Sequence, residues 1–230
     1  MTAGEPTGLR VEGLRHRRGA RVLLDGVDLR IGPGDSVAVT GPDGAATSAL
    51  LHCLLGLVTP DAGSVRAGGR ELTGATAGQR ARARRQHMGT VFPYDEPLPE
   101  LTPVENVALP LLLDGGEHGD AYRRAAALLN ELGVPQEETP AGLLTHGERR
   151  RTAVARALIT GPDVLLADEP TAGLDPPDAH AVAELLFAAV RERGGALLVV
   201  TRDPSVAARA GRTLRLDAGM LTHDTAGVGA

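Results

Sequence analysis

Gly41-Pro42-Asp43-Gly44-Ala45-Ala46-Thr47-Ser48 lies between a β-branched run, Asp35-Ser36-Val37-Ala38-Val39-Thr40, and an apolar run, Ser48-Ala49-Leu50-Leu51-His52-Cys53-Leu54-Leu55. The first run reads as a short strand and the second as a buried helix, so the stretch is a glycine turn from strand to helix. That is the setting of the pattern G-x-x-x-x-G-K-[ST]. In it backbone amides wrap phosphate, lysine reaches the β/γ oxygens and the last hydroxyl holds Mg²⁺. Gly41, Gly44 and Ser48 keep the pattern.

Ala46 and Thr47 depart from it. Ala46 replaces the second glycine, and its Cβ restricts φ and keeps the backbone further from a ligand. Thr47 stands where the ammonium belongs, and Asp43 adds negative charge to a loop meant for anions. All 24 basic residues of the 230-residue chain are Arg. A base composition that favours Arg over Lys accounts for the surface, yet it would leave a cation at position 47, so the loss at Thr47 is specific.

A content of 42% apolar and 23% charged residues is that of an ordinary soluble domain able to bury a core. The net charge of −5, with two Tyr, two Phe and no Trp, argues against a nucleic-acid surface. Cys53 is the single cysteine, placed in an apolar helix as a small core residue, and a reducing cytoplasm fits it. Residues 1–21 have no apolar h-region, and no window approaches the roughly 20 apolar residues that span a bilayer.

Leu9–Leu14 and Arg21–Ile31 alternate apolar and polar residues, predicting antiparallel strands around a turn at Arg15-His16-Arg17-Arg18-Gly19. Gly63–Gly69 predicts another strand and turn. Arg80–Arg85 is a basic helix end, read either as a solvated face that complements the dipole or as a phosphate patch. From Leu101 to Leu158 the period is helical, with Ala125, Leu128, Leu129 and Leu132 on one face and Gly133 closing that helix. Asp163–Ala167 and Ala196–Val200 are continuous apolar strands of a parallel sheet covered on both faces, with a helix from Asp178 to Arg193 between them.

Leu165-Leu166-Ala167-Asp168-Glu169-Pro170 sets two carboxylates at the end of a buried strand, where one holds Mg²⁺ and the next orients or deprotonates water. Thr171-Ala172-Gly173-Leu174-Asp175 follows, and the run from Leu144 to Leu158 precedes it. Together these resemble the ATP-binding subunit of ABC transporters, over about Leu9 to Leu221. The segment Leu101–Leu111 looks like the branch containing lipoprotein-release, macrolide-export and cell-division ATPases.

The resemblance implies an α/β P-loop NTPase fold of ABC type: a mixed-sheet core, an antiparallel β subdomain and an inserted α-helical lobe. Residues 8–222 would form one nucleotide-binding domain, with a RecA-like core at about 8–93 and 160–222, the lobe at about 94–159 and a tail at 223–230. ATP and Mg²⁺ would be cofactors. A membrane permease and a second ATPase subunit, identical or different, would be partners, placing the chain in the cytoplasm on the inner face of the cell membrane.

Carried over by position, Gly41 through Ala49 would bind nucleotide, Ser48 and Asp168 Mg²⁺, and Glu169 would be the catalytic carboxylate. Asp175 would be the D-loop residue. The signature motif stands as Leu144-Thr145-His146-Gly147-Glu148, with an imidazole in place of a glycine. Thr145-x-x-Glu148 is also a capping box, which starts a helix with or without a ligand. Pro93 occupies the Q-loop glutamine position and offers no side-chain hydrogen bond. Arg202 occupies the switch-histidine position, and Arg17 and Arg18 lie where an aromatic would stack on adenine.

Phosphoryl transfer relies on positioning and on neutralising spreading charge. An impaired ATP site is therefore expected, with Arg202 either clamping phosphate or pairing with Glu169. The alternatives are an active transport ATPase using Arg202 and backbone amides, and a scaffold that docks a permease through the lobe around Tyr94 to Leu113. The transported substrate is not written in this chain.

Overall fold

In the computed structural model, residues 8–93, 97–135 and 138–223 are described. The stretch that decides the fold joins strand β3 to the first helix. In chain order the strands are β1 (Leu9–Arg18), β2 (Arg21–Ile31), β3 (Ser36–Thr40), β4 (Ala62–Ala67), β5 (Arg70–Glu71), β6 (Met88–Val91), β7 (Val164–Asp168), β8 (Ala196–Val200), β9 (Arg212–Asp217) and β10 (Met220–His223). The helices are α1 (Gly44–Leu54), α2 (Ala77–His87), α3 (Pro103–Leu113), α4 (His118–Glu131), α5 (His146–Leu158), α6 (Pro176–Arg193) and α7 (Pro204–Ala207).

A six-stranded sheet runs in the order β10-β9-β3-β8-β7-β6, parallel throughout except at its β10 edge. Its central strands are apolar from end to end because both faces are covered. The side chains still alternate between faces. Val37, Val39, Val164, Leu166, Leu198 and Val200 pack with α1 and the strands of a second, four-stranded sheet ordered β2-β1-β4-β5. Val91, Leu165, Ala167, Leu197 and Val199 pack instead with α3, α4, α5 and α6. Cys53 is buried in the first of these cores, and burial pushes its thiol up to about 11.

The fold is the mixed α/β architecture expected from the motifs. Two boundaries differ. Arg15 to Arg18 are paired to β2 rather than forming a turn, and the reversal is confined to Gly19-Ala20, where Gly19 takes a φ of +62°. A short hairpin turn suffices because glycine supplies the left-handed conformation. At the other end, β10 runs through His223, whose backbone pairs with Leu214, so residue 223 belongs to a strand rather than to the expected tail. Tyr94 and the rest of that tail lie outside the described residues.

Candidate nucleotide site

Asp43 sets the start of α1. Its Oδ1 accepts from the Ala45 amide at 3.0 Å, and its backbone carbonyl accepts from Ala46 N at 3.1 Å and Thr47 N at 3.2 Å. Three amides at the helix start, those of Ala45, Ala46 and Thr47, are thus engaged by one residue of the turn itself. The Asp43 carboxylate also takes the Arg21 guanidinium at 2.6 Å. Arg21 is a neighbour the motif reading missed, being on β2 and carrying no pattern of its own.

Thr47 is 7% exposed, and its hydroxyl donates to the Gly44 carbonyl at 3.1 Å within the helix. Gly44, Thr47 and Ser48 line one cavity of about 530 Å³ together with Gly41, Pro93 and Asp168; Glu169, Thr201 and Arg202 complete its polar wall. Ala46 and Ala49 turn into the hydrophobic core, each 2% exposed. Gly41 has a second reason to be glycine, since a Cβ there would lie 2.4 Å from the Leu216 carbonyl oxygen of β9.

Asp168 ends β7, and its pKa is pushed up to about 6, first by burial and then by the Glu169 carboxylate, with Arg202 opposing. Glu169 has a φ of +43°, held by its amide bond to the Val200 carbonyl at 2.8 Å. Its carboxylate accepts from Thr201 Oγ1 at 3.3 Å and from the Arg202 amide at 3.1 Å. Arg202 Nε lies 3.8 Å from Glu169 Oε1, while its Nη2 lies 3.2 Å from where a Cβ on Gly44 would be. The Arg202 side chain therefore spans from the second carboxylate to the glycine turn.

The remaining motif residues have local roles. Thr145 and Glu148 form a complete capping box at α5, and Asp175 caps α6 by accepting from Asp178 N at 3.0 Å. Gly147 is buried so closely that a Cβ would overlap Asp178, whose carboxylate holds Arg151 at 2.8 Å. The His146 ring packs against Gly173. Leu144 through Glu148 and Asp175 do not line the 530 Å³ cavity. Arg150, which the motifs did not single out, fixes Pro93 by donating to the carbonyls of Phe92 at 2.8 Å and Pro93 at 3.1 Å.

For Mg²⁺ the donor chemistry fits: the Ser48 hydroxyl and the Asp168 carboxylate are hard oxygen ligands on one cavity. Around the expected phosphate position, the amides of Ala45, Ala46 and Thr47 bond to Asp43, and position 47 carries a hydroxyl in place of an ammonium. No group of three His, Cys, Asp or Glu suited to a metal occurs among the described residues.

A strand-turn-helix loop after β3 facing paired carboxylates at the end of β7, with β8 between the two parallel strands, is the arrangement of a P-loop nucleotide-binding domain. The ABC transporter family model matches residues 24–172, and the chain belongs to that family. It is 40% identical over 204 residues to the lipoprotein-releasing system ATP-binding protein LolD of Roseobacter denitrificans, covering 88% of this chain and 90% of that protein. LolD of Chromohalobacter salexigens is 38% identical over 221 residues, covering 94% and 93%. Among solved structures, the dimeric post-hydrolysis state of the ATP-binding cassette MJ0796 bound to ADP and Pi matches with a TM-score of 0.83. That match has 28% identity and covers 94% of this chain and 97% of that one.

Proposed function

We propose that this chain is the ATP-binding subunit of a transport complex of the lipoprotein-releasing type, whose own ATP site is impaired. Its partners would be a membrane permease and a second ATP-binding subunit. The likeness to LolD over nearly the whole length supports the coarse role. No helix among the described residues is long and apolar enough to cross a membrane, so attachment at the inner face would come through the permease. Residues 8–222 would form one nucleotide-binding domain, and the mutual packing of α3, α4 and α5 supports a helical lobe at about 94–159.

One observation carries the impairment: at the cavity wall where a lysine would meet the phosphates, Thr47 turns its hydroxyl back onto the Gly44 carbonyl. A lost charge-assisted hydrogen bond costs about 1.5–3 kcal/mol, on the order of 10- to 150-fold in affinity. Thr145 and Gly147 keep the helix start that could complete a partner's site, so a pair with an intact subunit would hold one working ATP.

Calorimetric titration of the isolated full chain with ATP and Mg²⁺ tests this. Weak binding, negligible turnover and a gain of at least tenfold in affinity in Thr47→Lys are expected. Tight magnesium-dependent capture by the unmodified chain, with multiple turnover that disappears in Glu169→Gln, would instead establish the active-ATPase reading. That reading is favoured by one fact, the approach of the Arg202 guanidinium to Gly44.

A further inference from the structure

At the opposite end of the parallel strands from the carboxylates lies a larger cavity, about 840 Å³, reached at Ser36 and Arg212, the first residues of β3 and β9. Six guanidinium-bearing residues line it: Arg10, Arg30, Arg66, Arg191, Arg209 and Arg212. They come from β1, β2, β4, the end of α6, the segment after α7 and β9. In a chain of net charge −5, such a convergence concentrates positive potential in one concave place.

The neighbouring carboxylates do not balance it. Glu12 serves Arg10, Glu71 serves Arg66 at 3.1 Å, and Glu184 is shared by Arg191 at 2.8 Å and Arg209 at 2.6 Å. Asp35, the one carboxylate in the lining, accepts from the Gly32 amide at 3.2 Å. Arg30 and Arg212 have no carboxylate partner among the described residues, and Arg212 donates to the Arg30 backbone carbonyl. Two positive charges are left over. The floor beneath the arginines is formed by Leu9, Ile31, Phe187 and Val190, which are packed into the cores and only 1–3% exposed.

We infer that this cavity binds a small organic phosphate, its dianionic head held by Arg30 and Arg212 and its planar remainder stacked on the flanking guanidiniums. Guanidinium forks match phosphate oxygens in pairs, and the volume is that of a pocket for a nucleotide-sized ligand. The cavity shares no lining residue with the 530 Å³ nucleotide cavity, so occupancy of one leaves the other open.

The test is calorimetric titration of the purified full chain with AMP and, separately, inorganic phosphate, in EDTA at low ionic strength. AMP should bind more tightly than phosphate and weaken as salt rises. The double variant Arg30→Gln/Arg212→Gln should lose at least tenfold in AMP affinity, and Arg30→Lys/Arg212→Lys should recover part of it. Matching circular dichroism melts would show that both remain folded. The nucleotide-cavity variant Ser48→Ala/Arg202→Ala should bind AMP as the parent does. Equal affinity for AMP and phosphate would overturn the organic-phosphate assignment. Loss of AMP binding in the Ser48/Arg202 variant, with full binding in the Arg30/Arg212 variant, would move the site to the other cavity and sink the inference. So would no heat with millimolar AMP.

Discussion

Asp43 and Arg21 are joined by a 2.6 Å ion pair that ties the glycine turn to β2, while the other oxygen of the same carboxylate caps α1 at Ala45. An acidic residue in an anion-binding turn is thereby neutralised from two sides, by a guanidinium and by the amide end of a helix. The negative charge that Asp43 brings to the loop is therefore offset by Arg21, a residue of β2 outside the motif.

Asp43→Ala should lower stability by about 1 kcal/mol, the usual loss of a capping side chain. Asp43→Asn should cost less than half of that, because the amide oxygen still accepts from Ala45. Arg21→Ala should change little, since the pair is partly exposed. Urea unfolding of the three variants checks the order, and equal losses in the Ala and Asn variants would show that charge, rather than the cap, matters.

Arg202→Ala removes the guanidinium that reaches from Glu169 to Gly44 while leaving the backbone amide that donates to Glu169. If the side chain mainly serves Glu169, ATP affinity should stay within about threefold of the parent. A tenfold loss in the same titration would make Arg202 a phosphate clamp.

Gly147→Ala should destabilise by about 1–3 kcal/mol, because a Cβ there overlaps the Asp178 carboxylate and must displace its pair with Arg151. Removing the obstacle in the double variant Gly147→Ala/Asp178→Ala should return part of that loss, as residues in contact are not additive. Strict additivity in thermal unfolding would mean the two never met.

Asn106→Ala should cost about 2 kcal/mol or more, measured by denaturant unfolding. Asn106 is fully buried. Its amide oxygen accepts from Leu98 N at 2.7 Å, and its nitrogen donates to the carbonyls of Leu98 at 3.0 Å and Leu101 at 3.2 Å. Its loss leaves the Leu98–Leu101 connection without those partners. A cost below 0.5 kcal/mol would show that the connection finds others.

The central strands were legible because a parallel strand covered on both faces is written as an uninterrupted apolar run, as in Ala196–Val200. Thr145 and Glu148 were legible as a cap because both halves lie within one turn of helix. The reversal after β1 was misplaced because a run of arginines resembles a turn until its pairing to Val22 and Leu24 is seen.

From its order of residues alone, this protein revealed a phosphate-loop pattern without an ammonium and paired carboxylates closing a buried strand, since those signals are local. Only the folded chain decided their surroundings. Arg21 meets Asp43 across 22 residues, Arg202 meets Glu169 across 33, and Arg150 reaches Phe92 across 58. Six arginines scattered from β1 to β9 share one cavity. Such encounters depend on strand register and on how helices dock, and a local pattern encodes neither.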